Sequence, residues 1–316
     1  MFLNQHPLVS ESMAGRGQPG ILKWCYMEQD KFSLSWIKAR EKYDSKHRSN
    51  LLKEQYKKDK SFFNKIIDLG SGNGSFLRYC HNKKIVFEEM LLIDYNSKLL
   101  RDFYPSTYNY LNGTNYNILK ESPTKYQLKK IDTIKTENIQ LMNTDILKSL
   151  DIINNYNLIS LSAMSDILPI LFIKKLLNKV KKNKIIYFSI CFNGSIKWTS
   201  SHKYDKYVLT MFNKHQEMNK SSGYVVGSKS IKLIKEHSTK KKYSFQIEDS
   251  SWELKSYDKN EKYFQKMYLN TIYKPLKKDD ITDNDMLDEW RKVKLKDIAS
   301  GKSKIIVGHK DILIST

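Results

Sequence analysis

Three cysteines in 316 residues, at positions 25, 80 and 191, are too few and too far apart for a disulfide framework or a zinc site of paired thiolates. Reduced, structural thiols in a cytoplasmic protein are the expectation, with no metal. No run of 18 apolar residues occurs, so no membrane-spanning helix is expected. The first residues lack a basic segment followed by an apolar core, and no secretory signal is expected either. Arginine is scarce in spite of the charge: six arginines stand against 49 lysines in a chain of net charge +21. Such a surplus ordinarily draws nucleic acid. Phosphate and base recognition, however, favour arginine's planar fork, and the joint excess of Lys, Asn, Ile and Tyr is what A/T-rich coding produces. The lysines read as solvated surface. A nucleic-acid partner stays possible but is not favoured.

Glycine is sparse too, 12 in all, which makes its concentration at 70–74 informative. The apolar run Ile66-Ile67-Asp68-Leu69 feeds Gly70-Ser71-Gly72-Asn73-Gly74, and an amphipathic segment opens at Ser75. A second apolar run, Met90-Leu91-Leu92-Ile93, ends in Asp94. Strand, glycine turn, helix, strand and acid make a nucleoside-binding α/β unit. A dinucleotide loop would read G-x-G-x-x-G, but Ser75 stands where its third glycine would fall, so a nicotinamide cofactor is disfavoured.

The rest of the chain continues the alternation. Strands are expected at 65–69, 90–94, 139–142, 156–161 and 185–190, with helices between them, which predicts an α/β, doubly wound, Rossmann-like sheet. Further helices are expected near 204–219, 228–239, 258–275 and 284–299, a strand at 243–247, and a closing strand over 304–314. Residues 1–22 read as a flexible leader and 31–60 as helical. Residues 105–136, rich in Asn, Tyr and Lys, read as an insertion without a clear element. The expected organisation is one domain over 23–316. It divides into a cofactor core at 61–192, substrate-side helices with a sixth strand at 193–303, and the closing strand.

The G-x-G-x-G loop resembles the first motif of class I S-adenosyl-L-methionine (SAM) methyltransferases. Five further segments are similar to those of an uncharacterised bacterial group within that superfamily: Trp36-Ile37-Lys38-Ala39-Arg40-Glu41, Ser162-Ala163-Met164-Ser165-Asp166, a His-Gln segment running from Asn213 through His215-Gln216 to Gly223, Ser250-Ser251-Trp252-Glu253-Leu254, and Gly308-His309-Lys310-Asp311. The likeness spans roughly residues 34–314. It departs at Ser251, where the group has proline, and in the length of the 105–136 insertion.

The resemblance implies a seven-stranded class I methyltransferase fold, SAM as cofactor and S-adenosyl-L-homocysteine (SAH) as product. Gly70, Ser71, Gly72 and Gly74 would let backbone approach the methionine tail. Asp68 would face its amino group, Asp94 the ribose hydroxyls with Tyr95 beside it, and Asp145 the adenine amino group with Ile146 against the ring. Ser162 and Arg40 complete the set, Arg40 pairing either with the cofactor's carboxylate or with a surface acid. Asp145 alone also fits a helix cap. For catalysis, His215 is the first candidate for a base near neutral pKa, with Asp205, His202 and Glu217 near it in sequence. Tying down its own helix is the plain alternative for His215. Asp166 could face the same region or cap a helix, and His309 and Asp311 read as packing. Trp198, Tyr204, Tyr207, Phe212 and Trp252 are either cleft or core. A small-molecule acceptor methylated on oxygen or nitrogen is favoured, with RNA methylation or a non-catalytic SAM-binding scaffold as alternatives. The oligomeric state is not legible.

Overall fold

The computed structural model describes residues 33–316 other than Asp132, Met218, Ser221, Ser222 and Asp280. The expected leader, Cys25 and part of the His-Gln segment lie outside the described residues. In chain order the strands are β1 Lys65–Leu69, β2 Glu89–Asp94, β3 Tyr116–Lys120, β4 Lys125–Lys130, β5 Thr136–Asn143, β6 Leu158–Ser162, β7 Ile185–Trp198, the short pair β8 Asn219–Lys220 and β9 Gly223–Tyr224, β10 Ser244–Asp249, β11 Trp252–Lys255 and β12 Lys304–Ser315. The helices are α1 Leu34–His47, α2 Leu51–Lys58, α3 Ser75–Asn82, α4 Ser97–Arg101, α5 Phe103–Leu111, α6 Ile170–Lys179, α7 Asp205–Gln216, α8 Ser230–Lys240, α9 Lys259–Lys277 and α10 Asn284–Ala299.

The main sheet runs β10-β12-β7-β6-β1-β2-β5-β4-β3. Its centre, β5-β2-β1-β6-β7, is parallel throughout. β12 enters antiparallel to β7, and β10 antiparallel to β12. The seven strands from β10 to β5 form the expected doubly wound α/β sheet, in the strand order of the class I methyltransferase fold. Alternation splits each central strand between two cores. Ile66, Met90 and Leu92 face α2, α3 and α5; Ile67, Leu69, Leu91 and Ile93 face α6 and α8. Strands buried on both faces explain the unbroken apolar runs. A third core lies beyond the sheet's carboxyl edge, where α1, α7, α9, α10 and β11 enclose Trp252, Trp290 and Phe264.

The structure corrects three sequence readings. Residues 105–136 are not featureless: α5 is followed by the β3–β4 hairpin, which adds two antiparallel strands beyond β5. Its period-two signal was short, with Ile118, Tyr126 and Leu128 buried among polar neighbours. The helical stretch 31–60 is two helices, because Arg48 leaves the helical region at φ −53°, ψ 137°. Asp311 then takes both the N–H and the hydroxyl of Ser49. Segment 250–254, matched as a turn, contains strand β11 against β12.

Candidate active site

The helix after β1 crosses one face of the sheet and the helix after β6 crosses the other, so the chain diverges between these neighbouring strands. Such a switch point leaves a crevice at the carboxyl ends. Here it is a cleft of about 1150 Å³, counted out to its open mouth. Every cofactor candidate except Gly74 lines it: Asp68, Gly70, Ser71 and Gly72 after β1, Asp94 and Tyr95 at β2, Asp145 and Ile146 after β5, Ser162 at β6, and Arg40 from α1.

The glycine turn is built from backbone and Asp94. Gly70 and Ser71 both donate their N–H to the Ile93 carbonyl at 2.9 Å. Asp94 accepts from the Gly72 N–H through one oxygen and the Asn96 N–H through the other, each at 2.8 Å. Asn143 Nδ2 donates to the Asp94 and Tyr95 carbonyls and fixes the β2 loop. Gly70 has φ +76°, and a Cβ there would lie 2.8 Å from Met164 Cε. Gly74 caps α3 at φ +86°, and a Cβ there would strike the Phe103 ring at 2.6 Å. Its glycine is required for packing under the helix, not for the cleft. Asp145 accepts from the Leu147 N–H and so does cap the short turn after it, while lining the cleft as well.

Two buried side-chain atoms here, Asp68 Oδ1 and Ser71 Oγ, have no hydrogen-bond partner. Buried polar atoms are normally satisfied, and these two belong to residues that line the cleft. Burial pushes the Asp68 carboxyl up to about 7, opposed by the Ser160 hydroxyl and the Arg48 guanidinium and reinforced by Asp94. Burial likewise raises Asp94 to about 6 against the Asn96 and Gly72 N–H groups. Among the described residues Arg40 is the only basic one that lines the cleft. It pairs with Asp44 on its own helix (Nε to Oδ2, 2.9 Å) and lies over the Trp252 ring at 5.1 Å.

The catalytic candidates lie elsewhere. Asp205 begins α7 and accepts from Trp290 Nε1 at 2.8 Å, from Lys294 Nζ and from the His202 N–H. His215 Nδ1 meets Asp279 Oδ2 at 3.2 Å. Asp166 sits near Tyr268 and Cys191, whose buried groups are pushed up by burial; its charge adds a smaller push, which for Cys191 ranks after that of Asp311. None of the three lines the cleft, and no described histidine does. Chain order placed α7 over the acceptor, whereas the structure gives its charged residues to the third core. Trp198, Tyr204, Tyr207, Phe212 and Trp252 all belong to that core too. His309 is buried against Trp252 and Phe192, and burial lowers its imidazole to about 3. Cleft residues that the sequence reading missed include Asp44, Asn96 and Met164. Asp44 had a signal: it falls four residues after Arg40, on the same face of one helix.

No protein-family profile and no curated protein sequence matches the chain. Among solved structures, a provisionally named methyltransferase from Bacillus halodurans shares 10% identity, with 84% of this chain and 96% of that one aligned at a TM-score of 0.43. TehB from Haemophilus influenzae shares 12% over 85% and 62% of the two chains, TM-score 0.42. A SAM dependent methyltransferase from Archaeoglobus fulgidus shares 16% over 84% and 92%, TM-score 0.34. Likenesses this distant carry no argument about activity, and the fold stands on the strand order above.

Proposed function

We propose that this protein is a SAM-dependent methyltransferase of the class I superfamily that transfers methyl to an oxygen or nitrogen of a small molecule in the cytoplasm. The observation that carries the reading is the charge of the cleft. In a chain of net charge +21, the described residues of the lining supply four carboxylates, Asp44, Asp68, Asp94 and Asp145, against one guanidinium, that of Arg40. SAM carries two positive centres and one carboxylate, and the lining complements that arrangement. Asp68, with its unpartnered oxygen, takes the ammonium, and Arg40 takes the carboxylate. Asp94 keeps lone pairs for the ribose hydroxyls beyond its two backbone bonds, and Asp145 and Ile146 take the adenine.

When bound, SAM supplies an electrophilic methyl group on a sulfonium. The protein's part is alignment and dryness. Gly70 and Gly72 admit the tail, while Met164, Ile167, Leu168 and Pro169 give the cleft an apolar wall. His215 and Asp205 no longer serve as bases in this reading, because both are committed to partners outside the cleft. Cys80 and Cys191, buried and free, agree with a reducing compartment. No described helix is long and apolar enough to cross a membrane. We also place the protein with the bacterial group that carries His-Gln and Gly-His-x-Asp segments, because both segments have structural work here. Asn213 Nδ2 bonds the Gly194 carbonyl, and Asp311 pins the α1–α2 corner.

Thermal shift tests the cofactor. SAH at 100 times its Kd should stabilise the fold by about 2.7 kcal/mol, and NADH should not. Absence of a shift with millimolar SAM and SAH would remove the reading. Radiolabelled SAM with fractionated extract should then put label into small metabolites; label confined to RNA would replace the acceptor.

A further inference from the structure

The glycine turn is fastened to α1 by one arginine that the proposed chemistry leaves unused. Arg78 on α3 is 3% exposed, in a chain with six arginines against 49 lysines. Its guanidinium uses every N–H donor it has. Nε and Nη2 donate to Glu41 Oε1 and Oε2 of α1 at 2.6 and 2.7 Å. Nη1 donates to the Asn73 carbonyl at 2.8 Å and to Thr107 Oγ1 of α5 at 3.1 Å, and Nη2 donates again to Asn73 Oδ1 at 3.0 Å. A lysine ammonium, with fewer donors and no planar fork, could not hold a helix, a turn and a second helix at once.

Asn73 stands between Gly72 and Gly74 and is fully buried. Besides what it accepts from Arg78, its Nδ2 donates to Asp102 Oδ2 at 3.1 Å and to Ser106 Oγ at 3.3 Å. The other Asp102 oxygen takes Lys38 Nζ of α1 at 2.9 Å. Two ion pairs thus tie α1 to the turn through the same asparagine. Lys38 is 48% exposed, and a pair of that kind contributes little. The buried fork of Arg78 is the strong one.

Helix α1 has few other ties to the turn. Its buried residues are Trp36 and Asp44. Its rings attach it to the helical cover, where Trp36 and Tyr43 stack on Phe264 of α9 at 5.4 and 4.0 Å. Toward the cleft it presents Ile37, Arg40 and Asp44, and Ile37 Cγ2 comes within 3.8 Å of where a Cβ at Gly72 would lie. Lys38 and Glu41, each one residue further along the helix than Ile37 and Arg40, share the adjoining face. One face grips the turn, and the next one lines the cleft.

We propose that Arg78 is a positioning residue of the cofactor site. By holding Glu41 and Asn73 in one fork, it sets the distance between α1 and the glycine turn, and so places Arg40 where the ligand's carboxylate is received. This rests on the SAM reading.

The test is calorimetric titration of the full chain with SAH and with adenosine, which keeps the nucleoside and lacks the amino-acid tail. Glu41→Gln removes the charge and one acceptor oxygen, and leaves the Arg78 bonds to Asn73 and Thr107 in place. SAH affinity should fall about tenfold, while adenosine affinity stays within about twofold. Arg78→Lys should show the same selective loss, because the charge stays and the fork goes. Arg40→Met should weaken SAH to a similar degree, and adding Glu41→Gln to it should lower affinity no more than about a further twofold. A tie that is merely structural would weaken both ligands alike, or would add its loss to that of Arg40→Met. Either of those outcomes, or unchanged SAH affinity in any folded one of the three variants, overturns the proposal. Should Glu41→Gln or Arg78→Lys fail to fold, the other decides. Should neither fold, hydrogen exchange of the wild type decides: SAH should slow exchange of the α1 amides and adenosine should not, and equal protection refutes the assignment. A wild type that binds neither ligand would sink the SAM reading itself. Binding of both, with SAH affinity unmoved in Glu41→Gln and Arg78→Lys, would sink only the role of Arg78.

Discussion

The charged groups at the carboxyl ends of β1, β2 and β5 contrast with those of the helical cover built from α7, α9 and α10. In the cover the acids have partners. Asp205 saturates itself on Trp290, Lys294 and a backbone N–H, and His215 faces Asp279. At the strand ends they are left wanting: Asp68 Oδ1 and Ser71 Oγ are buried and unpartnered, and burial raises both Asp68 and Asp94. A structural acid is one whose neighbours have satisfied it. A binding acid is held under strain in the unliganded protein, to be relieved by what it binds.

The sharpest way to break this contrast is Asp205→Ala. Lys294 is 2% exposed and would be left as an uncompensated buried charge, a loss of about 3–5 kcal/mol of stability. Denaturant unfolding should show that loss while SAH affinity, measured on the fraction still folded, stays unchanged. A weakened SAH site would return Asp205 to the cleft. Next in size is Asp94→Ala, which should weaken SAH by about 1.5–3 kcal/mol in calorimetry. An unaltered Kd would remove the ribose assignment.

The pH dependence of stability is the third test. Asp68 and Asp94 have folded values above the unfolded carboxylate range. The folded state therefore holds more protons than the unfolded one between about pH 4 and 7. These groups stabilise the unliganded fold at low pH, and that contribution is lost as pH rises through their values of about 6 and about 7. Thermal scans should show Asp68→Asn flattening the decline. An unchanged slope would mean that Asp68 titrates near its ordinary value. The smallest effect belongs to His215→Gln, which removes a partly exposed pair worth about 0.2–1 kcal/mol. SAH affinity and any transferase activity should stay within about fivefold, the factor to which about 1 kcal/mol corresponds. A hundredfold loss of activity with intact SAH binding would make His215 the base after all.

What the sequence disclosed follows the same division. β1, β2 and the glycine turn were readable because strands buried on both faces are continuously apolar, and because Gly70 and Gly74 sit where a side chain would collide with Met164 or Phe103. The acids at strand ends came with them, by position alone. The hairpin β3–β4 was hidden because an edge pair buries only one face, and in β4 only Tyr126 and Leu128 carry the alternation before Lys130 takes the next inward position. β7 was cut short at Ile190, although the strand continues to Trp198. The base was sought in α7 from chain order, which cannot show whether Asp205 looks toward a ligand or toward Lys294. Side-chain partnership across 80 to 90 residues is a tertiary fact without a local signal.

The paired length of β7 and β12 has a consequence for how the molecule comes apart. The two strands, 14 and 12 residues long, run side by side from the parallel core out to Trp198, where Ile305 of β12 is paired. A beam shared by both halves cannot melt at one end and stay intact at the other without breaking the same ladder. Calorimetric unfolding should therefore give one endotherm, and a fragment ending before residue 304 would lose the rail on which β10, β11 and the whole covering layer are mounted.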